Sequence, residues 1–461
     1  MFDEEYITHS KTMNPNIPIS DRKRVVIVGA GFGGLTLARD LARRSEFQVV
    51  LVNKYNYHEF QPLYYQVATA GLEANSILFP LRAALGEKPN VHIRVTSMTG
   101  IRPADKAIDT EIGPITYDFL VLSMGADTNF FGQQAFIDLA LPMKSVQEAI
   151  ALRNRLLQNF EEALSVETDD ELTGLMDVVV VGGGPTGVEL CGTLAELRKT
   201  VLPRDYPELD FKGMDIHLIE SGGELLGPMS VKAQKHAFDY LQELGVNVRL
   251  NTRVKDFDGR TVSMNDGTTL RTNNLIWAAG VRANTPVGIS AEAVGRGGRL
   301  LVNRINQVQG YTNVFAIGDL ALMAEGEAWP DGHPQVAQPA IQQGKLLSKN
   351  LTLLIRGGQP VPFTYSDLGS MATIGRGLAV VDLSFIKFSG FFAWLVWLFV
   401  HLMAILGVKN RLVIFINWMW NYLTYNQSLR LIIKAKLPRA PLNVPKERLN
   451  DLVEVTKTPL I

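Results

Sequence analysis

Six glycines carry the first chemical signal in this chain. Gly29, Gly31 and Gly34 follow the spacing G-x-G-x-x-G, and Gly182, Gly184 and Gly187 repeat it 153 positions later. In such a loop the first glycine permits a tight turn, the second lets backbone approach a pyrophosphate, and the third lets helix and strand pack closely. The following helix offers its N-terminal amides to the anion. After the next apolar run comes a residue suited to ribose hydroxyls, Asn53 in the first copy and Glu220 in the second. A carboxylate there accepts from the hydroxyls and repels a 2′-phosphate. No Arg or Lys falls in Ser221–Val231, so the second copy reads as selective for NADH over NADPH. Asn53 can still hydrogen-bond a hydroxyl, but it weakens the local signature.

A glycine fingerprint gains weight when a strand precedes it and a helix follows. Val25–Val28 and Val178–Val181 are short aliphatic runs of the kind buried on both faces. Leu35, Ala38, Leu41 and Ala42 recur at helical spacing, as do Val188, Cys191, Leu194, Ala195 and Leu197. Phe47–Val52 and Ile216–Ile219 supply the second strands; Phe119–Ser123 and Leu275–Gly280 close the two units. Pro89–Asp118 reads as an antiparallel insertion, Ser145–Leu164 as a helix, Glu167–Glu171 as an acidic boundary turn, and Leu202–Gly213 as an insertion. Asn56–Ala70, rich in aromatics, reads as a loop folded over the core, with a lining for a flat redox ring as the sharper alternative. Gly318-Asp319 ends a later strand, and Gln335–Gly344 forms a helix with Gln338 and Gln342 on one face. Two complete fingerprints imply two dinucleotides, and the useful reason to hold both is electron transfer between a flavin and a nicotinamide. A duplicated fold that has lost one ligand is the competing reading.

The 461 residues suffice for two or three domains, and 45 basic against 46 acidic side chains give no sign of a nucleic-acid partner. One cysteine, Cys191, excludes a disulfide framework, a cysteine-ligated zinc site and an iron–sulfur cluster within one chain. Residues 1–20 read as a disordered or extended arm, with no signal or transit peptide. Phe388–Val408 carries no formal charge, and four of the six tryptophans lie between Trp394 and Trp420. Residues 390–440 hold six basic residues and no acid. Aromatics bracketed by basics suit a segment lying in the interface of an anionic leaflet better than a spanning hairpin. His401 reads as packed or interfacial.

The ordered set VVIVGAGFGGL, NYHEFQPLYYQVAT, VVVVGGGPTGVEL, LIWAAGVRANTP, TNVFAIGDLA and AQPAIQQG resembles the type II NADH dehydrogenases, over roughly residues 22–435. These are single-chain NADH:quinone oxidoreductases that pump no protons. The resemblance implies an α/β fold of two Rossmann-like domains, an FAD domain interrupted by an inserted NADH domain, with a C-terminal amphipathic helical membrane-docking segment. It implies FAD at Gly29, Gly31, Phe32, Gly33, Gly34, Asn53, Lys54, Gly125 and Asp319. It implies NADH/NAD⁺ at Gly182, Gly184, Pro185, Thr186, Gly187, Glu220 and Gly280. Glu189 would orient substrate or relay protons, Gln338 and Gln342 would serve the quinone, and no metal is expected. The corresponding divisions are an arm at 1–20, FAD segments at 21–145 and 286–385, the NADH domain at 146–285 and the anchor at 386–461. Implied partners are a membrane lipid surface through residues 388–436 and a membrane quinone, with room for a homodimer. The implied location is the cytoplasmic face of the plasma membrane, peripheral and monotopic. A soluble FAD-dependent NADH reductase of another acceptor is the alternative. Departures from the family are Asn53, Met124, and the run Ile374–Leu378, where a lysine is expected and Arg376 stands.

Overall fold

The computed structural model describes residues 14–424 and 429–432. Two parallel five-stranded sheets organise it. The first has the order Val314–Ala316, Phe119–Leu122, Lys23–Val28, Phe47–Asn53, Val91–Val95. The second has the order Leu141–Pro142, Asn274–Trp277, Val178–Val181, Ile216–Ile219, Asn247–Arg249. In both, the strand leading into a glycine loop is central, so its residues are buried on both faces and must be apolar throughout. Val25 to Val28 and Val178 to Val181 are all buried.

Each sheet is the middle of three layers. In the first, Val25, Ile27, Val49 and Leu51 face helices Phe32–Leu41 and Ala337–Ile355, while Val26, Val28, Val50 and Val52 face the opposite core. That second face is covered by the antiparallel strands Met98–Arg102, Ala107–Thr110 and Ile115–Thr116. The second unit repeats the scheme with Val254–Phe257, Thr261–Met264 and Thr269–Arg271. The duplication therefore reaches well beyond the glycines.

The structure corrects several sequence expectations. Val91–Val95 pairs in parallel with Val49–Asn53, so the antiparallel insertion begins at Met98 rather than Pro89. Its alternation misleads because it lies at a sheet edge, with only half its residues covered. The acidic stretch at 167–171 starts a helix, Asp169–Met176, capped by Thr168, whose hydroxyl accepts from the Glu171 N–H. Acids in a first turn complement the helix dipole, which makes them a start signal and not a boundary. The helix expected at 145–164 spans Val146–Ala163 behind a Ser145–Glu148 capping box. Leu141–Pro142 already pairs into the second sheet, ahead of a boundary at 146. The chain crosses between the units on an antiparallel ribbon, Ala126–Thr128 against Val281–Ala283. Residues 1–13 of the expected arm lie outside the described residues; 14–20 have no regular secondary structure, turn at Asn16 (φ +49°), and are tied down by the Pro18 carbonyl accepting from the Gln48 amide at 2.7 Å.

After a hairpin of Ser370–Gly375 and Leu378–Asp382 come the tail helices Phe391–Ala404 and Val408–Thr424. Ala393, Trp397 and Ile414 face inward and are fully buried, whereas Phe392, Phe399, Leu412, Ile416 and Leu423 are exposed. Among the described residues no helix is long and apolar enough to cross a membrane. The tryptophans divide: Trp397 is core, and Trp418 donates its indole N–H to Gln66 at 2.8 Å. The outward apolar face is instead chiefly Phe, Leu, Ile and Val.

Candidate active site

The two glycine loops are superposable in logic. Gly29 and Gly182 have φ of +100° and +114°, a region that L side chains rarely adopt. A Cβ on Gly29 would sit 2.3 Å from the Ser123 carbonyl oxygen, and one on Gly182 would sit 2.7 Å from that of Ala278. A Cβ on Gly34 or Gly187 would meet the carbonyl oxygen of the first glycine at 2.0 and 1.9 Å. Gly31 and Gly184 differ: each is the N-cap of its helix, and nothing lies within 4 Å of the Cβ position. The outer glycines are filled by protein, and the middle one opens onto space in front of a helix N-terminus. A pyrophosphate fits that cradle. Pro185 and Thr186 open the second helix, Pro185 at a position where its missing N–H costs nothing.

The residue ending each second strand fastens its loop. Asn53 Oδ1 accepts from the Ala30 N–H at 2.9 Å, and its amide donates to the Tyr55 carbonyl at 2.7 Å. Glu220 Oε2 accepts from the Gly183 N–H at 2.6 Å, and Oε1 from the Gly222 N–H at 2.6 Å. Asn53 thus performs the loop-closing job of the acid without its charge. The first loop has a further tether. Nδ1–H of buried His58 donates to the Ala30 carbonyl at 2.8 Å, and burial depresses the imidazole's proton affinity, keeping it neutral. Phe32 stacks edge-on against His58 and Phe60, so the segment after Asn56 packs over the loop. Lys54 is exposed and lies over the Tyr55 ring.

The glutamine helix Ala337–Ile355 crosses the first glycine helix where both are bare: a Cβ on Gly344 would lie 2.6 Å from the Gly33 carbonyl oxygen. A Cβ on Gly33 would meet the Ala340 oxygen at 3.0 Å, so helix packing requires glycine at that position. Buried Gln343 accepts from the Gly318 N–H at 2.7 Å, which fixes the turn that presents Asp319. Asp319 is pushed up by burial and pulled back by Lys144, 4.0 Å away, and by Arg299. Gln342 is bound both ways to the Ser366 peptide, at 2.9 and 3.1 Å. Gln338, half-buried on the same face, makes no hydrogen bond to protein among the described residues. Gly125 and Gly280, at φ of +66° and +75°, turn the closing strands into the crossing ribbon.

Glu189 belongs to a different junction, where helix Pro185–Thr200 meets the Ser370–Gly375 strand and the first tail helix. It is buried, one oxygen accepts from the Thr373 N–H at 3.5 Å, and Tyr65 and Trp397 lie beside it. Burial raises its carboxyl well above the usual range. The contact is made possible by Gly192, one turn on: a Cβ there would fall 1.5 Å from the Ile374 carbonyl oxygen. Glu196, on the same helix face, accepts from the Arg376 N–H, and the Arg376 guanidinium stacks 4.2 Å above Tyr422. The run expected to hold a lysine is therefore the clamp between the second unit and the tail. Sequence reading passed over His58, Ser123, Gly192 and Glu196. A glycine in a helix interior costs about 1 kcal/mol against alanine, and that was the available signal for Gly192. His401 stacks on Trp397 at 4.0 Å and bonds its carbonyl. Cys191 is fully buried and its thiol is pushed up, as suits packing.

Comparison with known proteins agrees with this arrangement. The family described as pyridine nucleotide-disulphide oxidoreductase matches residues 23–344, and the NDH2 C-terminal domain matches 368–425. The type II NADH:quinone oxidoreductase Ndh of Mycobacterium tuberculosis is 36% identical over 430 residues, covering 90% of this chain and 91% of that protein. The type II NADH:quinone oxidoreductase of Staphylococcus saprophyticus is 31% identical, covering 78% and 90%. The solved structure of NDH2 from Plasmodium falciparum in complex with NADH shares the fold at a TM-score of 0.81, with 23% identity, 90% of this chain and 100% of that one. Two glycine cradles, a single cysteine that leaves no redox pair, and this likeness along nearly the whole length lead to one conclusion: the chain belongs to the type II NADH:quinone oxidoreductase family.

Proposed function

We infer that this protein oxidises NADH through bound FAD and delivers the electrons to a membrane quinone, without pumping protons. The observation that carries the reading is the pair of cradles, each closed at its outer glycines and open at the middle one. When bound, FAD supplies the two-electron exchange that no side chain here can perform. The amides at Gly31 hold its pyrophosphate, and Asp319 offers a carboxylate to its ribityl chain. The amides at Gly184 hold the pyrophosphate of NADH, and Glu220 faces its ribose. Gly280, at φ of +75°, leaves room for the Phe131 ring. Gln338 presents an amide able to donate to a quinone carbonyl, and Gln342 positions the loop at Ser366. Glu189, whose carboxyl burial pushes well above the usual range, is suited to hold a proton there.

The tail supports a peripheral attachment. Its exposed face of Phe392, Phe399, Leu412, Ile416 and Leu423, bracketed by Lys387, Lys409 and Arg411, suits an anionic lipid surface. Residues 425–428 and 433–436 of the docking segment lie outside the described residues. The cytoplasmic face of the plasma membrane is the side on which NADH is produced. A homodimer covering the same apolar face is the competing occupant.

The test is turnover of Gln338→Ala with NADH and a short-chain quinone. Flavin bleaching by NADH should be unchanged while quinone reduction slows about tenfold, the value of one hydrogen bond of about 1.5 kcal/mol. Loss of bleaching would remove Gln338 from the quinone site. Flotation with anionic vesicles tests the tail: co-migration supports lipid, whereas a salt-insensitive dimer that ignores vesicles supports self-association.

A further inference from the structure

The strands Val178–Val181 and Ile216–Ile219 carry the NADH-side loop at their C-terminal ends. Their N-terminal ends hold something else. The register pairs Val178 with Ile216 and Val179 with His217, so Asp177 and Asp215 stand side by side one step earlier. Side chains alternate along a strand, so Asp215 and His217 point to one face, the face that carries Val179 and Ile219. The Asp215 N–H donates to Asp177 Oδ1 at 2.8 Å, and the Asn247 amide donates to Asp215 Oδ1 at 3.0 Å. One ring nitrogen of His217 and one carboxylate oxygen of each aspartate lie within 4.8 Å of one another. His217 is only 6% exposed, and its buried Nδ1 has no hydrogen-bond partner among the described residues.

A buried imidazole nitrogen without a partner is costly. The ring stands beside two carboxylates that no Lys or Arg pairs within salt-bridge distance among the described residues. One cation would satisfy all three groups. We propose that Asp177, Asp215 and His217 bind a divalent first-row cation, zinc foremost, at the end of the second sheet remote from the dinucleotide loop. Two carboxylate oxygens and one imidazole nitrogen form a three-ligand set that zinc accepts, with water in the fourth position. Tetrahedral zinc places its ligand atoms ~3.4 Å apart, so the trio must close by about an ångström. Asp215 is exposed, and closing would trade its hydrogen bond from the Asn247 amide for the ion. The ion would clamp the starts of two strands. It would lie about 13 Å, one four-residue strand, from Glu220, and so would act on stability rather than on hydride transfer.

The test uses the full-length, FAD-loaded, tag-free protein, stripped with chelator and dialysed against Zn²⁺. The expected result is one zinc per chain and an unfolding midpoint raised by about 2–4 °C, with flavin content and NADH-driven bleaching unchanged. Asp215→Asn, at an exposed position, should weaken zinc binding at least tenfold, and His217→Gln should do the same. An absence of saturable zinc binding would overturn the proposal. So would zinc binding in Asp215→Asn equal to that of the unaltered chain.

Discussion

The two glycine cradles share a backbone and differ in the groups that fasten them. The first is fastened at both backbone polar groups of one residue, with the Ala30 N–H on Asn53 and the Ala30 C=O on His58. Behind it, Gly33 and Gly344 lock the first helix against the glutamine helix. The second loop is fastened at the matching residue, with the Gly183 N–H on Glu220 and the Gly183 C=O accepting from the Leu226 N–H at 2.8 Å, so a backbone amide does there what His58 does in the first. The contrast also separates two jobs merged in an acidic residue at the strand end. Closing the loop needs only an acceptor oxygen, which Asn53 provides. Discriminating against a 2′-phosphate needs charge, which only Glu220 provides.

The largest expected effect breaks one cradle at a time. Gly187→Ala forces a Cβ to 1.9 Å from a carbonyl oxygen, an overpacking of about 3 kcal/mol. NADH affinity, read by flavin bleaching, should fall roughly a hundredfold while FAD stays bound. Gly34→Ala should do the reverse and yield protein lacking flavin. Next comes Gly192→Ala, which pushes the Ser370–Gly375 strand off the second helix. It should cost about 1–3 kcal/mol in denaturant unfolding and loosen the tail, seen as faster proteolysis after Asp382. Glu220→Gln keeps one acceptor oxygen for the Gly183 N–H, gives up the one that Gly222 uses, and removes the charge. It should narrow the preference for NADH over NADPH by about tenfold, about 1.4 kcal/mol. Asn53→Ala, by contrast, should lower FAD retention by about 1 kcal/mol and leave nicotinamide preference alone.

The smallest effect is one of pH. Burial lowers the folded pKa of His58, so the unfolded chain binds the proton more readily. Stability from neutral His58 is complete above the ordinary imidazole pKa of about 6.5 and is lost as pH falls below it. FAD release in acid should begin in that window, and His58→Asn should flatten the profile.

The cradles, their flanking strands and helices, and the second-strand residues were legible because local rules govern them. Glycine spacing, apolar runs and a Ser145–Glu148 cap act within a few residues. What sequence missed was decided between distant elements. The role of Gly192 exists only because Ile374 arrives 182 residues later. Gln342 looks like an available amide until Ser366 takes both its atoms. Val91–Val95 reads as half-buried because it is an edge strand, and edge strands show alternation whether their partners run parallel or not. The tail tryptophans illustrate the same limit: composition marks an interface but does not say which face of each helix carries Trp397.

The most direct measurement is anaerobic stopped-flow absorbance of the bound flavin, with NADH or NADPH added first and a quinone second, on protein docked to anionic vesicles. Two cradles serving one electron path predict fast bleaching by NADH, much slower bleaching by NADPH, and fast recovery on quinone. Bleaching without recovery, or equal bleaching by both nucleotides, would contradict the account.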